Sequence, residues 1–318
     1  MPAAYHRPAP APHAQPPPAA AGPQQTLATR APGEPRVPET IRQQVKPGHG
    51  LLEQPKEPKE QAEDRGSGRG ASAPGFAALV QRRLDRYLAD REGRASVAAW
   101  DRTTGARFSY REQPTYLLAS VAKMDILLAL LLKAQDERRQ LTRAERTLAA
   151  RMIRYSDNLA AHSLYDEIGG KQGLTQRLMR LGIDGVEPGP ASWGSTRSGP
   201  SQQLAVLDAL TSDKGPVNSA NRDYATALMS SVTQSQSWGV SIAARPGDHV
   251  ALKNGWLPAR AHGGLWIVNT VGRITGHNHD LLIAVLTDHN PGMAVGIATA
   301  ERLTHIIMRA LTADGRPG

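Results

Sequence analysis

Apolar residues fall at Phe76, Leu79, Val80, Leu84, Tyr87 and Leu88, the spacing of one helix face, and predict a helix over Phe76–Asp90. Two short stretches, Ser96–Trp100 and Arg107–Tyr110, flank the turn-rich string Asp101-Arg102-Thr103-Thr104-Gly105, so a β-hairpin follows. Val121–Leu132 is apolar almost throughout, too long for a strand and rich in Leu and Ala, which predicts a buried helix opening at Ser120. Thr142 with Glu145 three residues on has the form of a capping box, and a helical pattern continues through Met152. It resumes over Leu159–Ile168 and stops at Gly169-Gly170. Gly182–Pro200 loses periodicity and holds five Gly and three Pro, which marks a structured loop. Ser201–Leu210 and Ala220–Val232 read as helices. Strands are expected at Val250–Leu252, Leu265–Val271 and Leu281–Leu286, and a last helix at Val295–Leu311. This order implies an α+β fold, with an antiparallel sheet flanked by the terminal helices and a helical subdomain beside it.

Composition divides the chain unevenly. Fifteen of the twenty-four prolines precede Gly75, in a stretch with hardly any large apolar residue besides Leu51-Leu52. Such a segment buries too little to offset chain entropy, so residues 1–74 are expected to be a disordered Pro-rich tail and 75–318 the folded domain. The net charge is +9, but its arginines (Arg82, Arg83, Arg86, Arg138, Arg139) are scattered along helix faces without interleaved aromatics. A solvated face is the better reading than nucleic-acid binding. There is no cysteine, which removes disulfides, thiol catalysis, thiolate zinc sites and a lipobox anchor. The N-terminus shows no apolar signal segment. The longest apolar run, Ile126–Leu132, is far shorter than the ~20 residues that span a bilayer, so no stable membrane insertion is expected.

Three short strings carry the chemistry: Ser120-Val121-Ala122-Lys123, Ser156-Asp157-Asn158 and Lys253-Asn254-Gly255. A serine at a helix entrance is commonly only a cap. Lys123 changes that reading, because at i+3 it shares a helix face with Ser120 on an otherwise apolar helix. Desolvation there lowers a lysine pKa toward that of a usable base, and the helix N-terminus offers free N–H groups beside the nucleophile. The pair forms an activated serine with a lysine base. Ser156-Asp157-Asn158 by itself also reads as an ordinary capping string.

In this order the strings read S-x-x-K, S-D-N and K-[TSN]-G, and from about Phe76 to Leu311 the chain resembles the class A β-lactamase and penicillin-binding serine hydrolase family. The resemblance implies a β-lactamase-like fold and a covalent acyl-Ser120 intermediate. It implies that Ser156 relays a proton to the leaving group, that Asn158 binds the substrate amide and that Asp157 is structural. It implies that Lys253 anchors a substrate carboxylate and depresses the pKa of Lys123, while Gly255 admits a ligand against the edge strand. The N–H groups of Ser120 and Trp256 would form an oxyanion hole. Asn254 stands where the family usually has Thr or Ser.

Ser120 and Ser156 are 36 positions apart, shorter than in typical class A enzymes, so the helical subdomain is expected to be shortened. Glu187-Pro188 echoes the family's deacylating Glu, but the surrounding string differs. Glu187 is a candidate deacylation base, with a solvated loop acid the preferred reading. Gly276-His277-Asn278-His279-Asp280 reads as a hairpin turn rather than a zinc site, and no metal or cofactor is expected. His162 and His305 read as helix-surface residues. Trp238 and Trp266 read as packing, and Trp256 as close enough to line the site. The expected function is serine acyl transfer on a β-lactam, amide or ester. The alternative is a penicillin-binding acyl trap or sensor, or a DD-peptidase-like protein with little β-lactam turnover. The substrate would be a small molecule or peptidoglycan-derived and the protein a monomer; the resemblance implies the cell-wall side of the membrane, while the sequence itself leaves a different start, another export route or a cytoplasmic location open.

Overall fold

Side chains along β1 (Arg94–Asp101) alternate between two cores, Val97 and Ala99 entering one and Ala98 the other. The computed structural model describes residues 74–190 and 192–313. The expected Pro-rich tail lies, up to residue 73, outside the described residues. β1 forms an antiparallel hairpin with β2 (Arg107–Tyr110), as the turn-rich string predicts. Three long strands complete the sheet: β5 (His249–Pro258), β6 (Trp266–Gly276) and β7 (His279–Asn290). The spatial order is β2-β1-β7-β6-β5, every pair antiparallel, so β5 is an edge. A two-residue pair, β3 (Tyr116–Leu117) with β4 (Arg197–Ser198), stands apart from this sheet.

One face of the sheet is covered by α1 (Pro74–Leu88) and α8 (Met293–Ala313). Val80 and Leu84 from α1 and Leu303 and Ile307 from α8 join Ile283 and Val285 of β7 in a single core. On the other face Leu282, Ala284 and Leu286 meet the helical subdomain. Both faces of β7 are therefore buried, which is why Leu281–Leu286 reads as a continuous apolar run instead of an alternating one.

The helical subdomain is arranged around α2 (Ala122–Asp136), which is buried on nearly all sides. Around it lie α3 (Arg143–Arg154), α4 (Asn158–Glu167), α5 (Gly170–Arg180) and α6 (Pro200–Thr211), with α7 (Ser219–Met229) outside α6 and α3. The predicted capping box is present: Thr142 Oγ1 accepts from Glu145 N and the Glu145 carboxylate accepts from Thr142 N. Such a cap stabilises a helix by about 1 kcal/mol.

Two readings are corrected. The sequence pattern predicts no helix directly after Gly169-Gly170, where Gly170 and Gly173 break the apolar period, yet α5 lies there. Gly173 is required because a Cβ there would come within 1.8 Å of Ile168 O, where α5 crosses the end of α4. The expected strand ending at Leu252 instead runs on to Pro258, paired residue for residue with β6. Lys253-Asn254-Gly255 therefore lies in mid-strand, its polar character having masked the continuation.

Candidate active site

Ser120 lies in a tight 3-10 turn, Ala119–Val121, that runs directly into α2. Neither it nor α2 has a side-chain N-cap bond, and the residue capping α2 is Val121, so Ser120 is not a helix cap. The turn is held from two sides. Leu118 N donates to Thr196 O at 2.8 Å, and Asn269 Nδ2 on β6 donates to Leu117 O at 2.8 Å and Leu118 O at 3.3 Å. Asn269 is itself fixed by Thr287 N, which donates to its Oδ1. Ala119 takes a left-handed conformation with φ 50°, a strained setting for a non-glycine residue immediately before the candidate nucleophile.

Gly255 closes the turn against the sheet. A Cβ there would come within 2.5 Å of Leu118 O, 2.7 Å of Val121 N and 2.8 Å of Ser120 N. The glycine thus admits the backbone of the Ser120 turn, a different neighbour from the ligand the resemblance implied. Close approach of this strand to Ser120 N brings the Ser120 and Trp256 peptides into one neighbourhood. Trp256 is half-buried, its indole edge-on to Trp238 at 5.8 Å.

Lys123 is fully buried on the first turn of α2, where its Nζ donates to Ser156 O at 2.5 Å, Ser156 Oγ at 2.9 Å and Asn158 Oδ1 at 2.8 Å. The Trp193 ring centre lies 4.7 Å from the same nitrogen, and Trp193 packs edge-on against His162. Ser156 occupies the short connection between α3 and α4 with φ 55°. Asp157 caps α4, accepting from Ala160 N at 3.1 Å, and also accepts from Arg151 Nε at 2.8 Å. The capping reading of this string therefore holds for Asp157, while its neighbours Ser156 and Asn158 face Lys123.

Lys253 reaches the same serine from the sheet. Its Nζ, also fully buried, donates to Ser156 Oγ at 3.2 Å, Gln236 Oε1 at 3.3 Å and Asn254 O at 2.8 Å. Burial, and then repulsion from Lys123, hold its pKa well below the usual lysine value. Asn254 is buried, and its Nδ2 donates to Gln236 O at 2.8 Å and Trp238 O at 2.9 Å. Ser156 Oγ thus lies between two lysines, and side chains from all three strings meet in one hydrogen-bonded cluster.

Glu187 stands apart in its bonding. Its backbone pairs with Arg197 through N–H···O bonds of 2.8 and 2.9 Å, and its side chain is exposed. Sequence reasoning missed Trp193, Gln236 and Asn269. A large aromatic in a Gly/Pro-rich loop was the one signal for Trp193, whereas Gln236 and Asn269 carry none.

Other clusters have different chemistry. A cavity of about 780 Å³ is lined by Trp100, Arg102, Thr211, Arg222, Arg273 and Asp280 among others, and by none of the residues of the three strings. Two of its arginines are neutralised in place, Arg102 by Asp208 and Arg273 by Asp280, while Arg222 Nη1 donates to Ser212 O at 3.4 Å. His262, Asp288 and His289 lie close enough to offer three metal-ligating atoms. Asp288, however, is held by Arg94, and the two imidazoles stack at 4.0 Å and 18°, so their in-plane lone pairs run side by side without converging. In the predicted hairpin turn, His279 Nε2 lies 3.1 Å from Asp248 Oδ2.

A five-stranded antiparallel sheet between terminal helices and a helical subdomain, with a buried lysine one turn past a serine, is the architecture of a β-lactamase-like protein. The chain matches the model of the Beta-lactamase enzyme family (Beta-lactamase2) over residues 79–145 and 144–311, and it belongs to that family. The fold is similar to a class A β-lactamase from Bacteroides cellulosilyticus, at TM-score 0.66 and 18% identity, with 75% of this chain and 99% of that one covered. It is also similar to a class A β-lactamase from Mycobacterium abscessus, at TM-score 0.62 and 24% identity, covering 73% and 99%. A Mycobacterium tuberculosis protein named "Putative lipoprotein LppW" is 28% identical over 174 residues, 51% of this chain and 54% of that protein. The chain thus spans about half the length of the curated relatives it matches. No helix among the described residues is long and apolar enough to cross a membrane.

Proposed function

We propose that the protein is a serine acyl-transfer hydrolase in which Ser120 attacks an ester, amide or β-lactam carbonyl. The observation that carries this reading is the placement of Ser156 Oγ, 2.9 Å from Lys123 Nζ and 3.2 Å from Lys253 Nζ, beside the turn that presents Ser120. In the first step the Ser120 Oγ–carbonyl carbon bond forms and the hydroxyl proton passes to Lys123. Collapse of the tetrahedral species breaks the bond to the leaving nitrogen or oxygen, which takes the proton through Ser156. Lys123 must be unprotonated to accept, and Ser156 provides the path by which the two lysines share a proton. The N–H groups of Ser120 and Trp256 would stabilise the developing oxyanion, often the largest catalytic contribution. Asn158, two positions past Ser156 and bonded to Lys123, would hold the substrate's acyl-side amide.

Release of the acyl group is expected to be slow. Glu187 is the candidate base for a deacylating water, but its side chain is exposed and its backbone is occupied with Arg197, while an indole covers Lys123. Loss of a general base typically costs ~10²–10⁴ in rate. This favours a long-lived acyl-enzyme and at most weak β-lactamase activity, and it supports the acyl-trap reading as the second possibility. A location on the cell-wall side of the membrane is proposed from the family and from the lipoprotein name of its mycobacterial relative.

The test is a panel of nitrocefin, a D-Ala-D-Ala peptide and simple esters against wild type and Ser120→Ala. Hydrolysis or acylation in wild type that vanishes in the variant supports the reading. Activity that survives Ser120→Ala, or no reaction with any of them, rejects it.

A further inference from the structure

Two histidines meet where the β5–β6 turn folds back on the end of β7. The turn, residues 259–265, is closed by Ala259 N donating to Leu265 O at 2.9 Å and His262 N to Ala259 O at 2.9 Å. The His262 ring lies flat on that of His289, their centres 4.0 Å apart and their planes 18° from parallel. His289 holds a left-handed backbone, φ 57°, a strained setting for a non-glycine residue. Gly263 and Gly264, at φ 65° and 88°, follow His262 in open space, so the turn can swing on them once the rings part.

The charges around the pair favour two neutral rings. Asp288 on β7 holds Arg94 of β1 through both carboxylate oxygens, and His289 Nδ1 lies 2.9 Å from its Oδ1. Its one negative charge is thus already shared with a guanidinium. His262 Nδ1 is buried with no hydrogen-bond partner. Burial, then the facing His289, hold His262 below the usual histidine range. Arg94 and, from β4, Arg197 act in the same direction, and Asp288 acts against them. Two imidazolium rings at this spacing would repel one another face to face.

The pair is joined to the Ser120 turn along two routes. Thr287, two residues before His289, donates its N–H to Asn269 Oδ1, and Asn269 Nδ2 holds Leu117 O and Leu118 O. Arg94, held by Asp288, lies 5.7 Å from the ring centre of Tyr116, whose strand β3 leads into the same turn. The β5–β6 turn itself continues β5, on which Trp256 stands two residues before Pro258.

We propose that the His262–His289 stack is an acid-released latch. With both rings neutral it seats the β5–β6 turn on β7; as the pair takes up protons the rings part, the turn opens and Ser120 acylates more slowly. The last step rests on Ser120 acyl transfer, whereas opening of the turn does not. An open or unfolded imidazole takes its proton as pH falls through about 6.5, the stacked His262 only at lower pH. Stability from the latch is therefore complete above that pH and is lost as pH falls through the lower value.

Hydrogen–deuterium exchange of the full chain, wild type against His262→Phe, reads the latch directly. The two proteins are compared at one pH at a time, so that intrinsic exchange cancels. His262→Phe keeps a flat ring on His289 and removes the proton. Over residues 259–265 the two should match at about pH 7.5, and wild type should exchange at least about twofold faster at about pH 5. A ratio that is the same at both pH values overturns the proposal. Proton–carbon NMR of the wild-type histidine rings covers the case of a misfolded variant, since two rings that titrate independently also overturn it. Fluorophosphonate labelling of Ser120 should slow in acid in wild type relative to His262→Phe. A turn that opens with an unchanged labelling ratio overturns the link to Ser120. No label in either protein at any pH defeats the acyl-transfer reading instead, and the exchange result then decides the latch.

Discussion

The indole of Trp193 lies over Lys123, its ring centre 4.7 Å from Nζ, on a loop separated from that lysine by the whole of α2 through α5. Trp193 is itself buried and braced by His162, so it forms a fixed wall for the candidate base. Buried cation–π contacts contribute about 0.5–2 kcal/mol.

Trp193→Ala is therefore expected to slow acylation of Ser120 by roughly 2- to 30-fold, the rate equivalent of that contribution. Trp193→Phe, which retains a ring face, should lie between. Stopped-flow acylation by a chromogenic substrate checks this, with melting curves to separate loss of the wall from loss of the fold. Equal rates in all three proteins would show that the indole does not help to hold Lys123.

Asp125, two residues beyond Lys123, is fully buried, with neither carboxylate oxygen in hydrogen-bonding geometry with a partner. Burial pushes its pKa up to about 8 from 3.8, partly opposed by the nearby Gln203 amide. The unfolded carboxyl loses its proton near pH 4 and the folded one near pH 8, so between them the folded state binds more protons. Stability contributed by the protonated form is thus complete at low pH and declines as pH rises through this window. Asp125→Asn removes the titration. Its melting temperature relative to wild type should rise from about pH 5 to about pH 8, and a difference that stays constant would contradict the assigned protonation.

Asn269 joins the sheet to the turn that carries Ser120 through Leu117 O, Leu118 O and Thr287 N. Replacing it with Ala leaves these buried groups without their partner, at about 1–3 kcal/mol. Asn269→Ala should lower the denaturation midpoint and slow labelling of Ser120 at temperatures where the fold persists. A loss of stability with an unchanged labelling rate would mean that the turn is shaped by other contacts.

What the sequence disclosed follows from how local each feature is. The Thr142–Glu145 cap and the β1–β2 hairpin depend on residues within a few positions, and both are visible in the chain. The lysine at i+3 from Ser120 is visible for the same reason, since one helix turn fixes their common face. Helix α5 was hidden because Gly173 is dictated by Ile168 O, a tertiary contact that overrides helix propensity. The length of β5 was hidden because its middle holds Lys253, Asn254 and Gly255, residues chosen by the site and poor in strand preference. Gln236 and Asn269 act across the fold, on Lys253 and on Leu118, and no local pattern marks them.

The central claim is that Ser120 forms a covalent acyl intermediate that is released slowly. Intact-protein mass spectrometry over time, with a penicillin added to wild type, Ser120→Ala and Glu187→Gln, tests it most directly. The account predicts one adduct of the drug's full mass on wild type, absent from Ser120→Ala, and persisting with much the same lifetime in Glu187→Gln. A wild-type adduct that clears within seconds but endures in Glu187→Gln would make Glu187 the deacylating base and the protein an efficient β-lactamase. An adduct on Ser120→Ala would place the nucleophile elsewhere.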